Sequence, residues 1–256
     1  MRLSKWHALG NDYLLVEPGE APAALTADFV RRVCDYHRGV GSDGLLEVVA
    51  ADGRAADVRI WNPDGSEAEF SGNGARIVAA WLSGRSGSNE VVVRVGAREA
   101  RAEIEGAEVI LDVGRVEVGR SETIGAAGEQ VEVTPVSVGN PHAVVRGDPD
   151  EIDRLGPEIE RHPRFPERTN VQLVRVDGRH DLTVRVWERG VGETLSSGTS
   201  SVAAAAAAVT HGWCATPVVV HLPGGDLRVE LDDERNARLT GPAEKICTVE
   251  LDETFL

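Results

Sequence analysis

The chain has 256 residues, of which 41% are hydrophobic and 27% are charged, and its formal net charge is −15. That length and composition suit a globular protein with one large domain or two small ones. The negative charge argues against a nucleic-acid partner, because a polyanion would be repelled.

Hydrophobic periodicity predicts a strand-rich chain of the α/β (α+β) class with few helices. The predicted strands, in chain order, are residues 14–16, 45–49, 58–61, 90–95, 109–113, 131–138, 142–145, 171–176, 182–187, 218–222, 227–231 and 248–251. The predicted helices are residues 28–36, 74–82, 152–160 and 198–210. Gly, Ser and charged residues concentrate in residues 114–128, which indicates a boundary between two halves.

Targeting and cross-linking signals are weak in this sequence. The N-terminal residues carry no apolar stretch of the kind found in secretory signals, and no apolar run reaches the roughly 18 residues of a membrane span. We therefore expect a cytoplasmic protein without a membrane partner. Its three cysteines are an odd number and do not suggest a disulfide framework.

The two halves repeat a pattern. Residues 61–72 and 187–198 both fit Trp-x5-Glu-x3-Ser-Gly, and both are followed by a helical pattern of small residues. Gly-Asn at 10–11 precedes the first copy, and Gly-Asn at 139–140 precedes the second at nearly the same separation. Two motifs in the same order at similar spacing favour an internal duplication over coincidence.

Each copy places a serine, Ser71 or Ser197, directly before a helix. A helix N-terminus offers unpaired backbone N–H groups and a positive dipole end, which suits the carboxylate of an amino acid. Two such ends facing one ligand would put one side chain on each face of its α-carbon, as inversion of a stereocentre requires. Serine also favours the N-cap for purely structural reasons, so a single Ser-Gly motif would indicate no more than capping.

Eight short motifs, spread in order over nearly the whole chain, resemble those of the diaminopimelate epimerase family. They are Gly-Asn-Asp-Tyr at 10–13, Gly-Val-Gly-Ser-Asp-Gly-Leu at 39–45, Asn-Pro-Asp-Gly-Ser-Glu at 62–67, Gly-Asn-Gly-Ala-Arg at 72–76, Gly-Asn-Pro-His at 139–142, Arg-Thr-Asn-Val-Gln at 168–172, Trp-Glu-Arg-Gly at 187–190 and Gly-Glu-Thr-Leu at 192–195. Leu-Thr-Gly-Pro-Ala at 239–243 resembles the family's last motif.

The resemblance implies two pseudo-symmetric domains, each a curled mixed sheet around a central helix. We expect these domains at residues 1–115 and 116–245, with a final strand in 246–256 returning to the first. It also implies a homodimer, no cofactor and a small amino-acid substrate, LL-diaminopimelate, converted to the meso form. The ligand contacts that it implies are Asn11, Asn62, Gly72, Asn73, Asn140, Asn170, Glu188, Arg189, Gly198 and Thr199.

In catalysis, Ser71 and Ser197 stand where the family keeps two cysteines that act as bases, and His142 and Glu188 match positions that support the proton transfers. A thiol has a reference pKa near 8.5, whereas a serine hydroxyl is far less acidic and needs an adjacent base. Three explanations stay open. A natural lineage uses serine with altered chemistry or substrate, the chain is an engineered double variant, or it is a binding relative that lost catalysis.

Three weaker patterns indicate no further site. Residues 39–44 fit G-x-G-x-x-G, but a helix precedes and a strand follows, the reverse of the dinucleotide-binding order. Cys34 with His37 and His211 with Cys214 have zinc-like spacing, yet we interpret them as buried cysteines and capping histidines, with no metal. The chain has two lysines, Lys5 and Lys245, neither beside a glycine-rich phosphate loop, which disfavours pyridoxal phosphate.

Overall fold

The computed structural model describes residues 1–21 and 24–255. It divides into two compact units, Met1–Leu111 with Gly241–Leu256, and Asp112–Thr240. Leu256, the end of the segment expected to return to the first domain, lies outside the described residues. Strands β8 (Glu108–Arg115) and β18 (Asn236–Pro242) run across the unit bounds.

The first unit contains two helices, α1 (Ala27–Cys34) and α2 (Gly72–Ser86), and a mixed sheet. Its other strands are β1 (Arg2–Ala8), β2 (Asn11–Val16), β3 (Leu45–Ala51), β4 (Ala55–Trp61), β5 (Glu67–Ala68), β6 (Glu90–Val95), β7 (Arg98–Glu105) and β19 (Glu244–Glu250). The order across the sheet is β19-β1-β2-β3-β4-β6-β7-β8.

The second unit contains α3 (Ile152–Glu160) and α4 (Gly198–Thr210). Its other strands are β9 (Glu117–Val118), β10 (Glu122–Ala126), β11 (Glu129–Ser137), β12 (Pro141–Arg146), β13 (Asn170–Val176), β14 (Asp181–Glu188), β15 (Gly192–Thr194), β16 (Val218–Leu222) and β17 (Gly225–Leu231). The order is β10-β11-β12-β13-β14-β16-β17-β18.

The two sheets share one pattern of strand directions, which confirms the duplication. From β1 to β8 successive pairs are antiparallel, parallel, antiparallel, parallel, antiparallel and antiparallel. The pairs from β11 to β18 follow the same series. Strand β2 therefore corresponds to β12, and helix α2 corresponds to α4.

Each sheet wraps around one buried helix. Helix α2 contacts strands β1 to β4, β6 and β7, and α4 contacts β9, β11 to β14, β16 and β17. The alanine run of α4, residues 203–208, is at most 1% exposed, since small side chains let strands approach from every side. Helices α1 and α3 contribute to separate clusters of buried apolar side chains. The expected curled mixed sheet around a central helix is confirmed.

Several strands have no clear sequence signal. Residues 114–128, whose composition indicates a boundary, instead contain β9 and β10, both of which pair with β11. In strand β7 only Ala100 and Ala102 are fully buried, Ile104 is partly buried, and the other side chains are Arg and Glu. Ala and Glu are depleted in strands, so β7 depends on pairing with β6 and β8.

Candidate active site

Both repeated serines occupy the N-cap of a buried helix, as the sequence predicts. Ser71 precedes α2 with φ −136° and ψ 122°, and Ser197 precedes α4 with φ −144° and ψ 119°. Extended backbone at the N-cap turns the first N–H groups of each helix outward without intrahelical partners. In each unit, a serine hydroxyl therefore lies beside a site that favours an anion.

The surroundings of the two serines differ. Ser71 Oγ accepts a hydrogen bond from the Gly74 N–H at 3.0 Å and shares one with the Tyr13 hydroxyl at 3.1 Å. Ser197, 7% exposed, makes no capping bond with its side chain. Its carbonyl oxygen accepts from the Ser201 hydroxyl at 2.9 Å. Sequence reasoning missed Tyr13, although it belongs to the motif at 10–13.

A chain of hydrogen bonds joins Asn11 and Asn73 of the first unit to a buried cation. Arg76, fully buried on α2, donates from Nη2 to Asn73 Oδ1 at 2.8 Å. Asn73 Nδ2 donates to Asn11 Oδ1 at 2.9 Å, and Asn11 Nδ2 donates to Asp43 Oδ2 at 3.0 Å. The chain runs from guanidinium to carboxylate, so it fixes the amide orientation of both asparagines.

The carboxylate end of this chain is held from several directions. The Tyr36 hydroxyl lies 2.9 Å from Asp43 Oδ1 and 3.0 Å from Asp12 Oδ1. Lys5 Nζ lies 2.7 Å from both Asp12 Oδ2 and the Gly41 carbonyl oxygen. Lys5 thus supports the strand that carries Asn11.

Asn62 lies in a separate turn. Its Nδ2 donates to Ser66 Oγ at 3.0 Å, and its backbone N–H donates to the Ser66 carbonyl at 2.8 Å. Within the described residues no side-chain hydrogen bond joins Asn62 to the chain through Asn11 and Asn73. Its expected ligand contact stays a prediction.

In the second unit, His142 is buried and belongs to a polar cluster under the start of α4. Gln172 Nε2 donates to His142 Nδ1 at 3.1 Å and to Ser200 Oγ at 3.0 Å, so His142 Nε2 carries the proton and donates to Asn140 Oδ1 at 3.0 Å. Burial lowers the pKa of His142 to about 3, and the nearby Arg189 charge acts in the same direction. His142 is therefore neutral at pH 7 and reaches the first turn of α4 through Gln172.

Asn170, Glu188 and Arg189 meet where β14 ends. Asn170 Oδ1 accepts from the Arg189 N–H at 2.9 Å, and its Nδ2 donates to the Pro141 carbonyl at 3.1 Å. Glu188 Oε1 accepts from the Thr194 hydroxyl at 3.0 Å. The structure thus brings three predicted contacts of the second unit together at one turn.

A buried carboxylate, Glu160, holds that turn. Glu160 is 1% exposed, and its Oε1 accepts from the Gly190 N–H at 2.7 Å. Arg168 forms an ion pair with it, and Trp187 Nε1 lies 3.3 Å from its Oε2. An isolated Glu at a helix end gives no sequence signal for this role, so Glu160 could not be predicted.

Four predicted ligand contacts are backbone positions at the helix starts. Gly72 and Asn73 open α2, and Gly198 and Thr199 open α4. Gly72, Asn73 and Gly198 are buried, and Thr199 is half-buried. They can offer N–H groups to an anion without a long side chain in the way.

Among the described residues, no cluster of three or more His, Cys, Asp or Glu side chains is placed to hold a metal ion. Cys34 is buried, which raises the pKa of its thiol to about 12, and His211 lies 3.1 Å from the Thr134 hydroxyl. No helix in the described ranges has the length and apolar character needed to cross a membrane.

Comparison with known proteins places this geometry in a family. The diaminopimelate epimerase family model matches residues 3–119 and 134–246. A diaminopimelate epimerase of Acetivibrio thermocellus is 37% identical, with 98% of this chain and 99% of the relative covered. A diaminopimelate epimerase of Desulfitobacterium hafniense is 38% identical, with 95% of each covered.

A solved structure extends the comparison to the fold. A predicted epimerase from Pseudomonas aeruginosa superposes with a TM-score of 0.76 at 20% identity, covering 98% of both chains. At that identity the likeness shows the fold alone. The two duplicated units and the full-length relatives together define an isomerase of the epimerase class. The chain belongs to the diaminopimelate epimerase family.

Proposed function

We propose that this protein inverts the α-carbon of LL-diaminopimelate to give the meso isomer, by proton transfer with two bases and without a cofactor. The observation that carries the proposal is the repeated placement of Ser71 and Ser197 at the N-caps of α2 and α4, in a chain of this family. Inversion needs one proton-transferring group for each face of the α-carbon, and this proposal assigns those two roles to Ser71 and Ser197.

Substrate binding in this proposal uses both helix starts. Backbone N–H groups at Gly72, Asn73, Gly198 and Thr199 bind the α-carboxylate, because helix N-termini favour anions. The distal amino and carboxylate groups are bound by Arg189, by Glu188 and by the asparagines. Those are Asn11, Asn62, Asn140 and Asn170.

His142 and Glu188 support the proton transfers. His142 is neutral at pH 7, so it can accept or donate a hydrogen bond without carrying charge. Glu188 is fixed by the Thr194 hydroxyl. Both assist the serine hydroxyls, which are weak acids. General acid–base assistance of this kind contributes about 10²- to 10⁴-fold in rate.

The test is α-proton exchange followed by NMR in D2O with LL-diaminopimelate. It compares the protein as it is with Ser71→Cys/Ser197→Cys and with Ser71→Ala/Ser197→Ala. Exchange by the serine protein and not by the alanine variant supports serine-based epimerisation. If only the cysteine variant exchanges the proton, the protein has an epimerase site that its two serines inactivate.

Absence of exchange in every variant would remove this substrate from the proposal. A related racemase or isomerase would then act on another small amino or carboxylic acid in a substrate panel. A binding relative would show thermal stabilisation without turnover. A ligand at 100 times its Kd adds roughly 2.7 kcal/mol, which such a shift detects.

Two finer features belong to the same proposal. We expect a homodimer, which light scattering on the purified protein measures directly. We also expect a cytoplasmic enzyme that supplies precursors of lysine and peptidoglycan, tested by complementation of a strain lacking diaminopimelate epimerase. Failure to complement, with activity in vitro, would separate the cellular role from the chemistry.

A further inference from the structure

Tyr13 is a buried hydroxyl beside Ser71 that no role assigned above uses. It is 8% exposed and lies on β2, where it pairs with Trp6 of β1. Its hydroxyl lies 3.1 Å from Ser71 Oγ. The only other tyrosine of the chain, Tyr36, contacts Asp12 and Asp43 instead.

The ring of Tyr13 packs directly against Gly44. A Cβ added at Gly44 would lie 2.7 Å from Tyr13 Cε1 and 2.7 Å from the Trp61 carbonyl oxygen. Only glycine leaves room for the ring there. Gly44, the last glycine of the motif at 39–44, thus leaves the space in which the Tyr13 ring lies with its hydroxyl beside Ser71.

The hydrogen bonds of Ser71 make Tyr13 its proton partner. Ser71 Oγ accepts from the Gly74 N–H at 3.0 Å, and a backbone amide cannot receive the serine proton in exchange. The Tyr13 hydroxyl can both donate to and accept from Ser71 Oγ. A serine is weakly nucleophilic and weakly basic unless an adjacent group takes its proton.

The duplication gives an independent observation. Tyr13 lies two residues after Asn11, and His142 lies two residues after Asn140, on the corresponding strands β2 and β12. The same position of the fold therefore carries a side chain able to exchange a proton in each unit. In the second unit that side chain is His142, and in the first it is Tyr13.

We propose that Tyr13 is the group that makes Ser71 a working base, by exchanging a proton with its hydroxyl during epimerisation. The inference rests on the proposed function. When Ser71 removes the α-proton, that proton moves to Ser71 Oγ while the serine proton moves to the phenolate oxygen of Tyr13. The C–H electron pair stays on carbon.

In the forward direction Ser197 delivers the second proton to the opposite face of the carbanion, and solvent then takes the proton of Tyr13 and reprotonates Ser197 before the next turnover. In the reverse direction Ser71 is the acid: the Tyr13 hydroxyl proton moves to Ser71 Oγ as the serine proton moves to the carbanion, which leaves Tyr13 as the phenolate. A phenol has a reference pKa near 10, so it ionises far more readily than a serine hydroxyl. Tyr13 acts through Ser71 and is a positioning and proton-relay residue that does not touch the substrate.

The experiment compares Tyr13→Phe in two backgrounds, the protein as it is and Ser71→Cys. A thiol ionises without help, so Tyr13→Phe is expected to lower kcat about 100-fold with serine and less than 3-fold with cysteine. The KM is expected to stay within 3-fold in both. Tyr36→Phe is the matched control, and its effect is expected to be equal in the two backgrounds. Circular dichroism melts verify that every variant folds.

Three results would overturn the inference. An equal loss in both backgrounds makes Tyr13 structural, and an unchanged serine background makes it irrelevant. Activity in Ser71→Cys/Ser197→Cys without activity in the serine protein shows that Tyr13 does not make Ser71 a base, while the family function stands. Absence of exchange in all variants, the double cysteine included, is the separate failure of the proposed function.

Discussion

Arg76 Nη2 donates a hydrogen bond to Asn73 Oδ1 over 2.8 Å, and both residues lie in the first two turns of α2. Burial lowers the pKa of Arg76 to about 10, so it stays charged at pH 7. Its Nε and Nη1 atoms have no hydrogen-bond partner within the described residues. Burying an incompletely partnered guanidinium costs free energy, and Arg76 orients Asn73 of the candidate site. We therefore expect Arg76 to contribute to ligand binding through Asn73.

Replacing Arg76 with Met should therefore separate binding from stability. We expect substrate affinity to fall about tenfold, because Asn73 loses the donor that orients its amide, equivalent to about 1.4 kcal/mol. The free energy of unfolding should change by less than about 1 kcal/mol or rise, since an incompletely partnered buried charge is removed. Calorimetric titration and urea unfolding measure the two. Arg85→Met, which removes a surface ion pair with Glu17, is the control, and destabilisation above 3 kcal/mol would make Arg76 a structural residue.

The two N-cap serines should differ in their contribution to stability. Ser71→Ala removes a bond to the Gly74 N–H and should lower the free energy of unfolding by about 1 kcal/mol. Ser197→Ala removes no capping bond and should cost no more than a few tenths of that. Chemical denaturation midpoints of the two variants compare them directly. Equal losses would contradict the difference in capping.

Two glycine substitutions, one against the ring of Tyr13 and one in open space as a comparison, test the packing around Tyr13. Gly44→Ala places a methyl group 2.7 Å from Tyr13 Cε1 and should destabilise by about 1–3 kcal/mol, as overpacking does. Gly84→Ala, in the body of α2 with no atom within 4 Å of the added Cβ, should stabilise by about 0.5–1 kcal/mol. Thermal unfolding measures both. A neutral Gly44→Ala would show that the ring can move away from Ser71.

His142 should make stability depend on pH in the acidic range. Burial lowers its pKa from 6.5 to about 3, so between these values the unfolded chain binds a proton that the folded chain does not. The free energy of unfolding therefore falls as pH drops from 6.5 toward 3, by up to about 1.4 kcal/mol per pH unit from this group. Above pH 6.5, His142 is neutral in both the folded and the unfolded chain and lowers the free energy of unfolding no further.

The His142→Gln variant has no titrating group at position 142, so its free energy of unfolding should fall less between pH 6 and pH 4. The difference between the two proteins isolates His142 from the carboxylates, which titrate in both. Urea unfolding at half-unit steps of pH measures it. Parallel curves would mean that His142 is protonated in the folded protein.

Much of the fold could be predicted because periodicity and the repeat are local. Strands β6 and β16 and helices α3 and α4 lie where the sequence predicts them. Strand β10 could not be predicted, since its Gly and Ser neighbours read as a linker and its order comes from pairing with β11. Helix α2 continues beyond the predicted residue 82 to Ser86, because a Gly87 in the left-handed conformation ends it.

The sequence by itself determined the family, the duplication and the two serines at helix starts, since these depend on residue types at fixed spacing. Only the tertiary structure decided which side chains contact Ser71 and the turn after β14. Tyr13 reaches Ser71 across 58 residues of chain, and Glu160 reaches the Gly190 N–H across 30. Contacts at such separations are set by sheet register and by the burial of polar groups that must find partners, and neither is written in a local pattern.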